Sequence, residues 1–266
     1  MADDQKTILV ETNPQGVATV TMARPDVFNA FDERMIEELD TAFTDLENDP
    51  SIRAVILAGA GKHFSAGADL NWMKRASQAD FSWNLEDSRR FAGMLYRIYS
   101  LPKPTIAKIH GVALGGGVGL TCACDFAIAA TNARFSVSEA KFGILPSVIG
   151  PYLLNAVGRR HAKFLALTTT RVSAEDALTM GLVQKVVAPE TLNQAVDHIV
   201  TELLAGGPTA LQEIKNLFEQ LTGGPISSDV RELTAQTISR VRGTDEAKEG
   251  FDAFFAKRDP FWKPKS

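Results

Sequence analysis

The fold of this chain is decided by residues 104–146, which read PTIAKIHGVALGGGVGLTCACDFAIAATNARFSVSEAKFGILP. A β-like run over 105–109 leads into three consecutive glycines, 115–117, and then into a helix-like segment of small residues. Glycine permits positive φ and lets a ligand approach the main chain. A helix that begins there presents unpaired N–H donors to an oxygen that gains negative charge. We therefore expect a ligand-binding turn, and Glu139, the carboxylate that follows the next short strand, is the candidate acid or base.

The three glycines also fit a turn that is only tightly packed. The sequence here is not the dinucleotide-binding pattern GxGxxG, and no acidic residue for a ribose follows at the usual distance. The Gly-Lys-Ser/Thr ending of a phosphate loop is missing as well. Both kinds of nucleotide site are therefore disfavoured.

A second turn of the same kind occurs earlier in the chain. The predicted strand 54–57 runs into GAGKHFSAGADL, which is rich in glycine and alanine and precedes a helix. The order of strand, small-residue turn and helix start thus occurs twice, at 65–70 and at 114–120. This repetition predicts parallel strands joined by right-handed crossovers. Two such turns side by side would supply two opposed N–H donors.

The first fifty residues carry signals of a hairpin and a helix. Alternating segments at 7–11 and 17–22 are separated by Asn13-Pro14-Gln15-Gly16, which predicts a hairpin. Asp32 can cap a helix over 33–47, where apolar residues recur at helical spacing. We expect the apolar face of this helix to pack on the strand that follows it.

The second half of the chain is mostly helical in pattern. We predict a loop with a short helix over 143–158, helices over 159–167 and 174–180, a strand over 182–187, and only helices from Pro189 onward. A β-rich first half followed by a helical tail suggests a spiral core and a C-terminal helical region.

Composition narrows the class of protein. The chain has 266 residues and a formal net charge of −4, which argues against a nucleic-acid partner. Its 4 histidines are scattered without metal-ligand spacing, so we expect no metal. Cys122 and Cys124 are two apart in a helical segment and cannot pair, which favours a reducing compartment. With neither a signal sequence nor an apolar run of membrane-spanning length, we expect a cytoplasmic protein that makes no membrane contact.

Several motifs together carry a family resemblance: RPDVFNAFDERM, AVILAGAGKHFSAGADL, KPTIAKIHGVALGGGVGL, CDFAIAATNARFSVSEAKFGILP, DALTMGLVQKVV and GFDAFFAKRDPFW. In this order they resemble the crotonase, or enoyl-CoA hydratase/isomerase, superfamily. The resemblance implies an α/β fold with a ββα spiral core that holds the active site, over residues 1–205, and a C-terminal helical trimerisation region, over 206–266. It also implies an acyl-CoA thioester as substrate, no cofactor beyond that coenzyme A, and a homotrimer or homohexamer.

The resemblance also assigns roles to residues. It puts the thioester oxygen between the backbone N–H groups of Ala68 and Gly116, with Glu139 as the catalytic carboxylate. The positions that match CoA-binding or substrate-binding residues are Arg24, Val27, Ala30, Ala66, Asp69, Leu70, Gly115, Gly119, Phe254 and Lys257, the last two reaching a neighbouring subunit's CoA. We expect a raised pKa for Glu139, because its neighbours Phe135, Val137, Phe142 and Ile144 offer little solvation.

One position departs from the family's two-carboxylate pattern. Gly119 stands where the standard hydratases have their first glutamate, so hydration by a glutamate pair is in doubt. A lone Glu139 fits the family's Δ3-Δ2-enoyl-CoA isomerases, which shuttle one proton between C2 and C4. The segment SEAKFGILPSVIGPYL instead resembles bacterial hydratases of branched, carboxylated enoyl-CoAs, of the methylglutaconyl-CoA or carboxygeranoyl-CoA type. In that branch the second group comes from elsewhere or from a substrate carboxylate. A non-catalytic or RNA-binding member is the least favoured alternative.

Overall fold

The computed structural model describes residues 6–221 and 223–264, so the outer ends of both predicted regions, 1–5 and 265–266, lie outside the described residues. Its strands are β1 (Ile8–Thr12), β2 (Val17–Met22), β3 (Ala54–Gly59), β4 (Thr105–Ile109), β5 (Val112–Leu114), β6 (Phe126–Ala130), β7 (Arg134–Ser136), β8 (Val172–Ser173) and β9 (Lys185–Val187). One sheet has the order β1-β2-β3-β4-β6-β9, and a smaller one has the order β5-β7-β8. In the larger sheet only the β1–β2 hairpin is antiparallel.

The helices of the described residues are α1 (Glu33–Asn48), α2 (Leu70–Gln78), α3 (Phe81–Ser100), α4 (Gly116–Ala123), α5 (Gly150–Thr168), α6 (Ala174–Met180), α7 (Leu192–Ala205), α8 (Pro208–Gln220), α9 (Ser228–Arg242) and α10 (Asp245–Phe255). Together with the two sheets they form the expected α/β fold, a ββα spiral core with a helical C-terminus. No helix within the described part of the chain is both long and apolar enough to traverse a lipid bilayer.

The hairpin and the first helix form as the sequence predicts. Asn13 Oδ1 accepts hydrogen bonds from the backbone N–H groups of Gln15 and Val17, both at 3.0 Å, and Gly16 closes the turn with φ of 78°. Asp32 caps α1, because its side chain accepts from Met35 N at 3.1 Å. The apolar face of α1 is buried, as its helical spacing indicates.

Parallel crossovers bring the two small-residue turns to the same region. β3 pairs in parallel with β4, in the register Val55↔Thr105, and β4 pairs in parallel with β6, in the register Ile106↔Phe126. Helices α2 and α3 form the connection from β3 to β4, and β5 and α4 form the connection from β4 to β6. Each connection leaves its strand through a small-residue turn before its helix begins.

Two predictions about helices are confirmed, and one predicted strand needs correction. The buried face of α1 packs along α3 and shares one core with Val55 and Leu57 of β3, the strand that follows it. α5 contains the two helices expected before and after residue 158, because its backbone breaks at Gly158, where φ is 70°. The last strand is only Lys185–Val187, because Leu182 and Val183 are apolar for burial in the turn after α6 and not for strand pairing.

The C-terminal helices are held to each other and to the core by polar contacts. Glu246 accepts from the backbone N–H groups of Thr209 and Ala210 at the start of α8. The guanidinium of Arg53 donates to the carbonyl oxygens of Trp262 and Gly206, at 2.9 and 3.1 Å. In the single chain these helices and the residues after them leave large apolar side chains exposed, namely Phe218, Phe251, Phe254, Phe255 and Phe261.

Two glycine substitutions should shift stability in opposite directions. Gly16→Ala should destabilise the fold by about 1–3 kcal/mol, because φ is positive and a Cβ would lie 2.2 Å from the carbonyl oxygen of Ser51. Gly93→Ala, the control in α3, should stabilise it by about 0.5–1 kcal/mol, because an added Cβ there meets no atom within 4 Å. Urea unfolding measures both. A neutral Gly16→Ala would contradict the first expectation.

Candidate active site

The turn after β3 and the turn after β5 lie side by side. Ser65 N donates to Val112 O, and Leu114 N donates to Ser65 O, both at 3.0 Å. Gly67, with φ of 85°, contacts the backbone of the second turn directly. A Cβ on Gly67 would lie 2.5 Å from Leu114 O and 3.4 Å from Gly116 N. The two turns are therefore in contact, and glycine at position 67 is what permits it.

The orientation of the Ala68 N–H group follows from its peptide plane. In a trans peptide the C=O of one residue and the N–H of the next point to opposite sides, and the described residues contain no cis peptide bond. Gly67 O accepts from Phe31 N at 2.8 Å, and Phe31 O accepts from Asp69 N at 3.0 Å. The Ala68 N–H group therefore points away from Phe31, and it donates to no acceptor among the described residues.

Gly116 presents a second free donor. It is the first residue of α4, and the oxygen of the preceding peptide, Gly115 O, accepts from Val118 N at 2.9 Å and from Gly119 N at 3.3 Å. The Gly116 N–H group therefore points out of the helix N-terminus, and within the described residues no acceptor pairs with it. Two backbone donors in adjoining turns are thus available to a ligand oxygen.

Close packing explains why α4 begins with glycines. A Cβ on Gly116 would lie 2.1 Å from Cζ of Phe31, whose ring is fully buried over the turn. A Cβ on Gly117 would lie 2.7 Å from Ser65 O. The tight-packing interpretation of these glycines is therefore confirmed, and the binding interpretation stays a prediction that the free Gly116 N–H group supports.

Glu139 places a poorly solvated carboxyl group beside these donors. It begins a 3₁₀ turn, Glu139–Phe142, and its Oε1 lies 3.3 Å from where a Cβ of Gly115 would be. Oε2 is buried and has no hydrogen-bond partner among the described residues. Burial raises the pKa of Glu139, as expected, although backbone hydrogen bonds at Glu139 and Ser138 oppose the rise. A carboxyl group of raised pKa that has one oxygen free of partners among the described residues is suited to exchange protons with a ligand.

The prediction that four apolar neighbours desolvate Glu139 is correct for two of them. Phe135 and Val137 are buried, whereas Phe142 and Ile144 are 60% and 54% exposed. The chain turns at Gly143, with φ of 72°, and the residues on both sides of this turn remain on the surface. The position of Glu139 against the Gly115 turn, and not Phe142 or Ile144, therefore accompanies the two buried neighbours in keeping water from this carboxyl.

The position of the missing glutamate is filled by an apolar side chain. A Cβ on Gly119 would lie 2.4 Å from Cγ2 of Ile149 and 3.6 Å from Cδ1 of Leu95. Ile149 is itself buried and caps the start of α5. A second carboxylate at position 119 therefore has no space while Ile149 is present.

Most of the predicted CoA-binding positions lie in or beside the two turns: Arg24, Val27, Ala30, Ala66, Asp69 and Leu70 in the loops after β2 and β3, and Gly115 and Gly119 at the start of α4. Leu70 is 79% exposed and Val27 is 40% exposed, so both are open to a ligand. The side chains of Arg24 and Asp69 instead pair with each other, at 3.0 Å.

Phe254 and Lys257 belong to a different part of the chain. Phe254 is 77% exposed on α10, where its ring packs against Phe255 with centroids 5.8 Å apart, and Lys257 follows the helix. Neither has a described contact with the two turns. Their predicted role involves the CoA of a neighbouring subunit.

A cavity of about 730 Å³ lies elsewhere, between α3 and α8. Its polar groups are paired with one another: the Tyr99 hydroxyl donates to Glu219 at 2.6 Å, and burial with this bond raises the pKa of Tyr99 to about 12. Neither Ala68, Gly116 nor Glu139 lines it. In the described ranges, no three His, Cys, Asp or Glu side chains are grouped to hold a metal ion.

Sequence reasoning missed the residues that support the site. Ser65 Oγ donates to Asn29 O at 2.8 Å and accepts from Gly67 N at 3.1 Å, and Asn29 Nδ2 donates to the carbonyl oxygens of Ala60 and His63. The sequence analysis did not assign a role to Phe31 either. Ser65 and Asn29 could have been found from the sequence, because polar residues within turns of otherwise small or apolar residues indicate buried, hydrogen-bonded side chains.

Glu139→Gln should stabilise the folded protein at about pH 8 and lose this advantage at about pH 4. Below its ordinary pKa of 4.5 the carboxyl is mostly protonated in both states. Between that value and the raised pKa only the unfolded chain ionises, so the wild-type free energy of unfolding falls as the pH rises and stays lower above the raised pKa. Urea unfolding at both pH values measures the difference. Glu202→Gln, at an exposed position of α7, is the control. A difference that does not vary with pH would contradict the expectation.

The Gly119–Ile149 contact can be tested with a double-mutant cycle. Gly119→Ala should cost about 1–3 kcal/mol in the wild-type background, because the new methyl group overlaps Ile149. In the Ile149→Ala background the cost should fall by at least about 1 kcal/mol, because the overlapping Cγ2 is gone. Strictly additive free energies of unfolding would show that the two positions do not compete for space.

Comparisons with known proteins agree with this architecture. The enoyl-CoA hydratase/isomerase family matches residues 12–265. A putative enoyl-CoA hydratase of Thermus thermophilus is 36% identical over 252 residues, which cover 95% of this chain and 99% of the relative. A carnitinyl-CoA dehydratase of Salmonella enteritidis is 34% identical over 262 residues, covering 93% and 95%. The crystal structure of an enoyl-CoA hydratase from Shewanella pealeana superposes with a TM-score of 0.93 at 37% identity and covers 96% of both chains. The chain therefore belongs to the enoyl-CoA hydratase/isomerase family, within the crotonase superfamily.

Proposed function

We propose that this enzyme is an acyl-CoA hydratase, which adds water across the double bond of a 2-enoyl-CoA. The observation that carries the proposal is the juxtaposition of two free backbone donors, at Ala68 and Gly116, with the Glu139 carboxyl beside Gly115, whose Oε2 has no partner among the described residues. Donors of this kind stabilise charge only where it develops, and a carboxyl of raised pKa can take up and return a proton.

The chemistry follows from the thioester. The ionised Glu139 carboxylate takes a proton from water while the water oxygen bonds to C3. The electrons of the C2=C3 double bond move towards the carbonyl, so that negative charge develops on the thioester oxygen. Hydrogen bonds from Ala68 N and Gly116 N stabilise that oxygen, and each such donor contributes about 2.7–4 kcal/mol. The protonated Glu139 then returns its proton to C2, which leaves a 3-hydroxyacyl-CoA and restores the carboxylate.

The site suits a substrate that needs only one protein carboxylate. Because Ile149 fills the space beside Gly119, we propose a branched or carboxylated acyl group, such as that of methylglutaconyl-CoA, whose own carboxylate assists. The same observation favours the alternative activity, a Δ3-Δ2-enoyl-CoA isomerase, in which Glu139 alone moves a proton between C4 and C2. A non-catalytic or RNA-binding role fits less well, because the formal net charge is −4.

We further propose that the chain assembles as a homotrimer or homohexamer through its C-terminal helical region, residues 206–266. Support comes from the large apolar side chains that α8, α10 and the residues after them leave exposed, which soluble proteins usually cover. In such an assembly Phe254 and Lys257 could reach the CoA of a neighbouring subunit. A cytoplasmic location fits the two cysteines, both of which are free.

Turnover of paired substrates tests the proposal. Wild-type enzyme should hydrate a 2-enoyl-CoA, with loss of the conjugated thioester absorbance and incorporation of ¹⁸O from labelled water. Glu139→Gln should lower kcat by about 10²- to 10⁴-fold and leave CoA affinity nearly unchanged, because the amide cannot exchange the proton. Glu202→Gln serves again as the control.

Two results would change the assignment. Inactivity on every 2-enoyl-CoA tried, together with rapid turnover of a 3-enoyl-CoA without ¹⁸O incorporation, would identify an isomerase. An equal loss of turnover and CoA affinity in Glu139→Gln would make Glu139 a structural residue.

A further inference from the structure

Arg24 occupies the junction between the loops that carry the candidate site. Its Nη1 donates to the Ala30 carbonyl oxygen at 2.6 Å and lies 3.2 Å from Asp32 Oδ2, while its Nη2 donates to Asp69 Oδ2 at 3.0 Å. The Arg24 and Asp32 side chains are each 22% exposed, and that of Asp69 is 8% exposed. Both arms of the guanidinium are thus engaged within the protein.

Each carboxylate that Arg24 holds is also the N-cap of a helix. Asp32 caps α1, and Asp69 caps α2 by accepting from the backbone N–H groups of Asn71 and Trp72. A planar, bidentate guanidinium can join two such caps in one geometry, whereas a lysine ammonium cannot. Arg24 therefore connects the start of α1 to the start of α2.

Ala68 lies between the elements that Arg24 joins. It immediately precedes Asp69, and the peptide groups on both sides of it bond to Phe31, which precedes Asp32. A shift of Asp69 relative to Asp32 would rotate these peptide planes and redirect the Ala68 N–H group. Without Arg24, Asp69 would also be a nearly buried carboxylate that has lost its counter-ion.

We propose that Arg24 is a positioning residue: by bridging Asp32 and Asp69 it aims the Ala68 N–H group at the thioester oxygen, and it does not bind CoA phosphate. This inference rests on the proposed function, in which Ala68 is a donor. The resemblance matched both Arg24 and Asp69 to CoA-binding or substrate-binding positions, and this proposal gives their side chains a positioning role there.

The experiment compares Arg24→Met and Arg24→Lys with Arg75→Met. Arg75 also joins α2 to α1, through Glu33 at 3.0 Å, but it is exposed and lies seven positions beyond Ala68, so it is the matched control. The probe is butyryl-CoA labelled with ¹³C at the thioester carbonyl, a saturated compound that cannot be hydrated. Isotope-edited infrared spectroscopy reports the C=O stretch, calorimetry reports the Kd of CoA, and circular dichroism confirms folding.

In the wild type, bound butyryl-CoA should show a C=O stretch lowered by hydrogen bonding. Arg24→Met should lose most of this shift and lower kcat by about 10- to 100-fold, because small displacements of a catalytic donor have effects of that size. The Kd of CoA should change by less than about 3-fold, as for loss of an interaction specific to the reacting group. Arg24→Lys should recover part of the shift, and Arg75→Met should match the wild type.

Failure of this inference and failure of the proposed function would give different results. A wild-type C=O shift in Arg24→Met, with the Kd of CoA raised about 10-fold or more, would mean that Arg24 binds CoA and would overturn this inference alone. Absence of any shift in the wild type would overturn the proposed function, and this inference with it. If Arg24→Met does not fold, Asp69→Asn provides the same test, because Asn retains the capping oxygen and loses the charge that pairs with Arg24.

Discussion

The structure depends on the direct pairing of two backbone turns. The turn after β3 bonds to β5 through Ser65, whose N and O both take part, and Gly67 brings the turn against Leu114 and Gly116. Neither contact involves a large side chain. A Cβ at position 67 would overlap the Leu114 carbonyl oxygen and would also require a positive φ that other residues rarely adopt. Backbone packing therefore already requires small residues in both turns, independently of any catalytic role.

Because the turns are held by backbone hydrogen bonds, the directions of their remaining N–H groups are determined as well. The Gly67 carbonyl oxygen is bonded to Phe31, and the Gly115 carbonyl oxygen is bonded within α4, so the N–H groups of the same two peptides point the other way. Donors fixed in this manner need no reorganisation when charge develops on a ligand. Phe31 contacts both turns. Its backbone forms hydrogen bonds with the residues on either side of Ala68, and its ring covers Gly116.

The candidate site contains a buried carboxyl oxygen that lowers the stability of the fold. Oε2 of Glu139 is buried and has no partner in the part of the chain that the structure describes, and such a group costs stability. Elsewhere the buried polar side chains near the turns, Ser65 and Asn29, are fully engaged in hydrogen bonds. Local exceptions of this kind are expected where a protein acts on a ligand, because the missing partner is supplied when the ligand binds.

The elements whose signals are local could be predicted from the sequence. The hairpin, the Asp32 cap, the amphipathic face of α1, the parallel strands and the two small-residue turns all depend on neighbouring residues or on periodicity. The raised pKa of Glu139 was also predictable, although two of the four side chains invoked for it are exposed. Where apolar residues serve burial and not strand pairing, as at Leu182 and Val183, the same patterns overextended a strand.

The sequence by itself therefore determined the α/β spiral, the two turns and which carboxylate lies beside the second turn. Only the tertiary structure decided that Arg24 and Asp69 pair with each other, that Phe31 lies over Gly116, and that Ile149 takes the space beside Gly119. The physical reason is distance along the chain, since Arg24 and Asp69 are separated by 45 positions. No local sequence pattern encodes which distant side chain, here Ile149, will pack against a glycine such as Gly119.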